Sequence, residues 1–240
     1  MVELMQNWMV IPATGVGQRM QADRPKQYLQ LDRKTLIEYT LDNVLSHDAI
    51  CGAVVVLDEQ DEYWPQLAYR HVKPVLLCNG GSQRHHSVFN GLNHLRKTIA
   101  GDPMVLIHDA VRPFVQHNDL DSLLEAANRN QQGALLAVPL SDTLKLADHS
   151  QCVKSTHPRD RLWRALTPQA FRLNIILAAI ASVIKNNLEI TDDASAMELM
   201  GYHPKLVQGS ALNIKITHPD DIHLAQLVLK YYQSPQADLS

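Results

Sequence analysis

The 240-residue sequence has little of what would mark a secreted, membrane-spanning or nucleic-acid-binding chain. Its three cysteines, Cys51, Cys78 and Cys152, are an odd number without a C-x-x-C pair. That fits reduced thiols in a cytoplasmic compartment better than a disulfide framework. No run of about 18 apolar residues occurs, so no membrane-crossing helix is expected. The first residues, MVELMQNWMVIPATG, carry an acid at Glu3 and lack the basic start and long apolar stretch of a signal peptide. Net charge is −3 with no long basic block, and aromatics make up only 5% of the chain. That excludes a general nucleic-acid surface and a stacking platform for single strands. Twelve histidines are present, but His85 and His86 are adjacent and no H-x-x-x-H occurs, which argues against zinc.

Short apolar runs are plentiful. WMVIPA, CGAVVVLD, KPVLLCN, MVLIHDA and GALLAVPL read as strands. Between them TLIEYTLDNVLS, YWPQLAYR, SVFNGLNHLRKTIA and NDLDSLLEAANRN read as helices. Strands this apolar, alternating with helices, predict an α/β fold: a Rossmann-like, mostly parallel sheet covered by helices on both faces. Right-handed crossovers would place every strand's carboxyl end on one edge, where ligands bind.

The pattern changes after Leu140. Residues 141–158 are polar and alternate weakly around an ADHS turn, which predicts two exposed strands forming an arm on a single domain spanning residues 1–240. Such an arm buries itself poorly, so coverage by a second subunit, and hence a homodimer, is expected; a mobile surface hairpin is the alternative. ALTPQAFR leads back into a helix from about Leu173, TDDASAMELM follows, and KLVQG and NIKIT read as two further short strands. Pro219, Asp220 and Asp221 mark the start of a final helix.

The stretch VIPATGVGQRM raises the question of chemistry. A dinucleotide fingerprint needs a third glycine where Met20 stands, and an acid about 20 residues on; the second strand ends near Asp58, far beyond that distance. The Walker pattern is also absent. What remains is a strand-to-loop junction of small residues (Pro12, Ala13, Thr14, Gly15, Gly17) followed by Arg19, Arg24 and Lys26. Small residues let backbone N–H groups approach phosphate, and cations neutralise it. A solvated basic loop is the bland alternative.

Six segments in order, PATGVGQRM…PKQYL, HDAVRPF, SDTLK, LWRALTPQAF, TDDAS and NIKIT, resemble the nucleotidyltransferases that act on sugar and polyol phosphates. Within these the chain resembles the 2-C-methyl-D-erythritol 4-phosphate cytidylyltransferase branch, from about Val10 to Leu229. The resemblance implies transfer of CMP from CTP to the polyol phosphate with loss of pyrophosphate, a Mg²⁺ requirement and a dimerising arm. Two positions depart from the family pattern: Thr14 stands where PAAG has alanine, and GGSQR, with Ser82 and Gln83, stands where GGDER is usual.

By that resemblance Arg19 and Lys26 stabilise charge on the triphosphate, and Arg159 and Lys215 grip the polyol phosphate. Gly81, Ser82 and Ser87 contact the nucleotide; Arg112, Thr143, Thr167 and Thr191 contact the acceptor. Asp109, at the end of the fourth strand, either orients a substrate hydroxyl, helps hold Mg²⁺, or caps the next turn. Thr191 and Ser87 have helix N-capping as their alternative. A phosphate monoester is already largely ionised at neutral pH, its second pKa being about 6, so no activating triad is required, and none is found. Three other functions share the fold: cytidylyl transfer to ribitol 5-phosphate or another polyol phosphate, non-catalytic nucleotide binding, and, weakest, a nicotinamide-dependent oxidoreductase.

Overall fold

The protein is described by a computed structural model covering residues 6–15, 20 and 23–234. Strand β1 (Asn7–Pro12) is the first apolar run, and its alternate residues feed both faces of the sheet. Met9 and Ile11 join one core layer, Trp8 and Val10 the other, and all four are buried. A strand covered on both sides has no polar face to spare, hence the unbroken apolar sequence.

After a 3-10 turn at Lys26–Tyr28 and the short pair β2 (Gln30–Leu31) and β3 (Lys34–Thr35), helix α1 spans Leu36–Ser46. Thr35 and Glu38 close a reciprocal capping box at its start. Then come β4 (Ile50–Leu57), the one-turn α2 (Trp64–Leu67), β5 (Val75–Asn79), α3 (Arg84–Thr98), β6 (Met104–Ile107), α4 (His117–Arg129) and β7 (Ala134–Pro139). The hairpin β8 (Leu144–Ala147) and β9 (Val153–His157) precedes β10 (Trp163–Arg172), α5 (Leu173–Lys185), α6 (Asp193–Leu199), β11 (Lys205–Gln208) and α7 (Pro219–Gln233).

Seven strands form one sheet in the order β11-β7-β10-β6-β1-β4-β5. Helices α1 and α4 cover one face, and α3, α5 and α6 the other. Helix α3 lies close on the sheet because Gly91 has no side chain; a Cβ there would meet Val56 and Val10 at 2.7 and 2.8 Å. Strand β1 pairs in parallel with both β4 and β6, so the chain leaves it in opposite directions. The crevice at the carboxyl ends of β1 and β6 is the switch point at which such sheets bind ligands.

Four sequence expectations need correction. The strands do not all point one way, because β10 runs antiparallel between β6 and β7. That strand is the ALTPQAFR region, to which no element was assigned; its exposed start and its proline hide the strand pattern. YWPQLAYR yields a single helical turn, ended by Ala68 in the left-handed region at φ 48°. NIKIT is not a strand. Two of its backbone bonds are local turns, Asn213 N–H to the Ser210 carbonyl and Ile214 N–H to the Leu212 carbonyl. Ile216 N–H to the Val111 carbonyl and the Asn213 side chain tie it to the rest of the fold, with no ladder. The arm is present as the β8–β9 hairpin, with all of β9 exposed and Val153 65% accessible.

Candidate active site

A cleft of about 430 Å³ opens at the switch point. One wall is the strand end Pro12–Gly15, and Gly81–Arg84 faces it from the loop after β5. Asp109–Val111, from the loop after β6, form the floor, while Lys26, Gln27, Asp58 and Lys215 close the remaining sides. Pro12–Gly15 and Gly81–Gln83 bring no charged side chain to the cleft, whereas Arg84 and Lys215 converge on Asp109. A ligand with a flat neutral part and a polyanionic part has its orientation set by that asymmetry.

Local folding puts these groups in place. The buried Gln27 donates its amide to the Ala13 carbonyl at 2.6 Å, fixing the 3-10 turn that carries Lys26 against the end of β1. Arg24, by contrast, lies outside the cleft and spends its charge on neighbouring Asp23.

The loop after β6 is held by a directed chain of hydrogen bonds. His108 is fully buried, with Nε2 3.0 Å from the Arg112 carbonyl and Nδ1 2.9 Å from Thr167 Oγ1. A carbonyl only accepts, so Nε2 carries the proton and Nδ1 accepts from the threonine. Thr167 Oγ1 in turn accepts from the Asp109 N–H at 3.1 Å. Burial, only partly countered by Asp109, lowers the His108 pKa to about 4, so the ring is neutral at pH 7.

Asp109 is the electrostatic centre. Its Oδ2 lies 2.9 Å from Lys215 Nζ and 3.2 Å from Arg112 Nε, and its Oδ1 3.6 Å from Arg84 Nε. Burial alone would raise its pKa; the cations Arg84, Lys215 and Arg112 outweigh that and hold it well below the usual carboxylate range. Arg112 also donates to the Asn213 carbonyl at 2.7 Å, and Asn213 donates to the Thr167 carbonyl at 2.8 Å.

Of the residues singled out in the sequence, Pro12, Ala13, Thr14, Gly15, Lys26, Gly81, Ser82, Asp109 and Lys215 line this cleft. Arg112 and Thr167 stand behind Asp109 as its supports. Ser87 is fully buried inside α3, whose N-cap is Gln83, so it neither caps the helix nor opens it. Thr191 is exposed beside α6, whose N-cap is Asp192. Thr143 and Arg159 are exposed at the base of the arm, away from this chain's cleft, with Arg159 donating to the Ser141 carbonyl. Gly17 and Arg19 lie outside the described residues.

The sequence reading missed Arg84 and Asp193. Arg84 opens α3 and forms a two-pronged pair with Asp193, at 2.9 and 2.8 Å, while also facing Asp109. Asp193 is completely buried. Next to it Gln169 donates to Asp192 Oδ2 and accepts from the Ala194 N–H, both at 2.8 Å. The Arg84–Asp193 pair thereby ties the TDDAS segment to the loop after β5, and Gln169 ties it to β10. Both residues stand in quoted motifs, but their partnership across 109 positions leaves no local signal.

Residues 8–231 match the 2-C-methyl-D-erythritol 4-phosphate cytidylyltransferase family, IspD. The chain belongs to that family. The Haemophilus influenzae member is 46% identical over 220 residues, covering 92% of this chain and 95% of its own. The Aliivibrio fischeri member is 43% identical over 221 residues, 92% of each. The crystal structure of the Francisella tularensis IspD superposes with a TM-score of 0.80 at 35% identity, over 92% of this chain and 99% of that one. The Thermus thermophilus structure gives 0.78 at 31%, over 94% and 100%. This IspD-family chain therefore shares its fold with solved members almost end to end.

Proposed function

We infer that this protein transfers a cytidylyl group from CTP to 2-C-methyl-D-erythritol 4-phosphate and releases pyrophosphate, a step in isoprenoid precursor synthesis. The observation that carries the reading is the Asp109-centred cation group, set beside a neutral glycine-lined slot in a chain of this family. The base enters the neutral end, the triphosphate faces Lys26, and the acceptor phosphate faces Lys215. An acceptor phosphate oxygen, already ionised, attacks the α-phosphorus; that P–O bond forms as the bond to pyrophosphate breaks. The protein's part is positioning and neutralising a crowded, highly negative transition state.

In this reading Lys26 and Arg19 act on the triphosphate, and Lys215 on the acceptor phosphate. Arg159 and Thr143 belong to the arm base and serve the cleft of a second copy in a homodimer. The three thiols are free, which suits a cytoplasmic setting. Among the described residues no helix is long and apolar enough to cross a membrane.

Mg²⁺ is bound in enzymes of this kind by one or two carboxylates together with substrate phosphate oxygens. Asp109 fits that pattern: it is ionised at the cleft floor, and its Oδ1 has Arg84 no closer than 3.6 Å. Asp109 would hold the ion, which when bound neutralises charge on the phosphate oxygens.

Pyrophosphate release with CTP, Mg²⁺ and each candidate acceptor tests the reading. Turnover is expected with 2-C-methyl-D-erythritol 4-phosphate. Turnover only with ribitol 5-phosphate overturns the choice of acceptor, and CTP binding without pyrophosphate from any acceptor favours a binding protein. For the dimer, the full chain is expected at twice its own mass in solution and a chain lacking residues 144–157 at the monomer mass; equal assembly of both refutes a role for the arm.

A further inference from the structure

We propose that Thr14 is a positioning residue for the nucleotide, acting through Ser87 to hold the Gly80–Gln83 loop across the slot that receives the base. The proposal rests on the CTP reading of the cleft. The two walls of the slot follow β1 and β5, which are not neighbours; β4 lies between them, so the strands run about 10 Å apart. Backbone pairing alone leaves the walls joined only through β4, by Ala13 N–H to the Val56 carbonyl and Gly80 N–H to the Leu57 carbonyl.

A direct tie is made by side chains. Thr14 Oγ1 lies 3.0 Å from Ser87 Oγ, with Ser87 wholly shielded from solvent. Ser87 Oγ accepts the Gly81 N–H at 3.1 Å and lies 3.2 Å from the Gln83 carbonyl. One hydroxyl thus joins the strand end, the paired glycines and the first turns of α3. The Thr14 methyl fills the remaining space: a Cβ on Gly80 would lie 2.2 Å from Thr14 Cγ2 and 2.8 Å from Ser87 Oγ. Gly80 has room for no side chain because Thr14 occupies it.

Thr14→Val keeps the branched shape and removes only the hydroxyl, and Ser87 keeps its backbone partners, so no buried group is orphaned. Thr14→Ser keeps the hydroxyl and removes the methyl. The test is calorimetric binding of CTP, and separately of pyrophosphate, with Mg²⁺ present. Thr14→Val is expected to weaken CTP about 3- to 10-fold, the range of one hydrogen bond. Thr14→Ser should stay within about twofold of wild type. Pyrophosphate, which needs only the cationic end, should bind both variants as it binds wild type. Unchanged CTP affinity in Thr14→Val, an equal loss for pyrophosphate, or a Thr14→Ser defect as large as that of Thr14→Val overturns the clamp. So does a wild-type protein that binds no CTP. A wild type that binds CTP with this pattern yet transfers nothing supports the clamp and refutes the transferase reading instead.

Discussion

Replacing His108 by glutamine should leave a signature in the pH dependence of stability. In the fold the ring is neutral, donating to Arg112 and accepting from Thr167. Its pKa is about 4, against about 6.5 in an unfolded chain. The unfolded state therefore takes up a proton that the folded state refuses. This contribution to stability is complete above pH 6.5 and is lost as pH falls through the window towards 4. Between pH 7 and pH 5 the loss amounts to about 2 kcal/mol. Glutamine reaches the Arg112 carbonyl but cannot titrate, and it leaves Thr167 short of an acceptor, so at pH 7 the variant should be about 1–3 kcal/mol less stable. Urea unfolding of both proteins at several pH values is the assay. The gap between them should shrink, or change sign, by about 2 kcal/mol on going from pH 7 to pH 5. The remaining histidines are common to both chains and cancel in the difference. A gap that stays constant across this range refutes the neutral, buried assignment of His108.

Three further outcomes follow from the same geometry. Asp193→Asn should cost about 2–4 kcal/mol by denaturant unfolding, because it strands Arg84 beside a buried amide; the Arg84 side chain is 32% exposed and retains Asp109, which favours the lower figure. Adding Arg84→Gln to that variant should cost less than the sum of the two single changes, and simple additivity would contradict the pairing. Lys26→Ala should reduce turnover by about 100-fold or more with little change in thermal midpoint, and unaltered turnover removes Lys26 from the chemistry. Asp109, held ionised well below the usual range, should not titrate above pH 4. The acid limb of the rate profile, near pH 6, then belongs to the acceptor phosphate, and a limb that fails to move when the acceptor carries a phosphonate of higher pKa contradicts this.

The five strand runs and most helices were legible because burial on both faces writes itself into sequence as unbroken apolar segments. The cleft was legible too: Lys26, Asp109 and Lys215 all stand where a strand end or a motif puts them at one edge. Strand β10 was not legible. Its first residues are exposed, Pro168 interrupts it, and its partners β6 and β7 are far away in sequence. NIKIT misled in the opposite sense, since its alternation serves contacts with the loop after β6 and not a sheet. Arg84 and Asp193 were hidden because an ion pair has no spacing rule when its members come from different units of the fold. Thr14 was unexplained in the sequence for a similar reason: Ser87, its partner, lies 73 residues away.

An acid at the centre of a phosphate-facing cleft looks unfavourable until the cations around it are considered. Lys215 Nζ and Arg112 Nε, at 2.9 and 3.2 Å from a single oxygen, lie within about 6 Å of each other. At that spacing two unit charges near a protein surface repel by roughly 3 kcal/mol. Without a shared anion Lys215, 37% exposed, would swing away from Arg112. Asp109 removes that repulsion and keeps the cations converged before any ligand arrives. Arg112 stays anchored by the Asn213 carbonyl, so Lys215 is the group able to exchange its carboxylate oxygen for a phosphate oxygen. The His108–Thr167 chain matters for the same reason: it fixes the Asp109 backbone, and with it the point on which three cations are aimed.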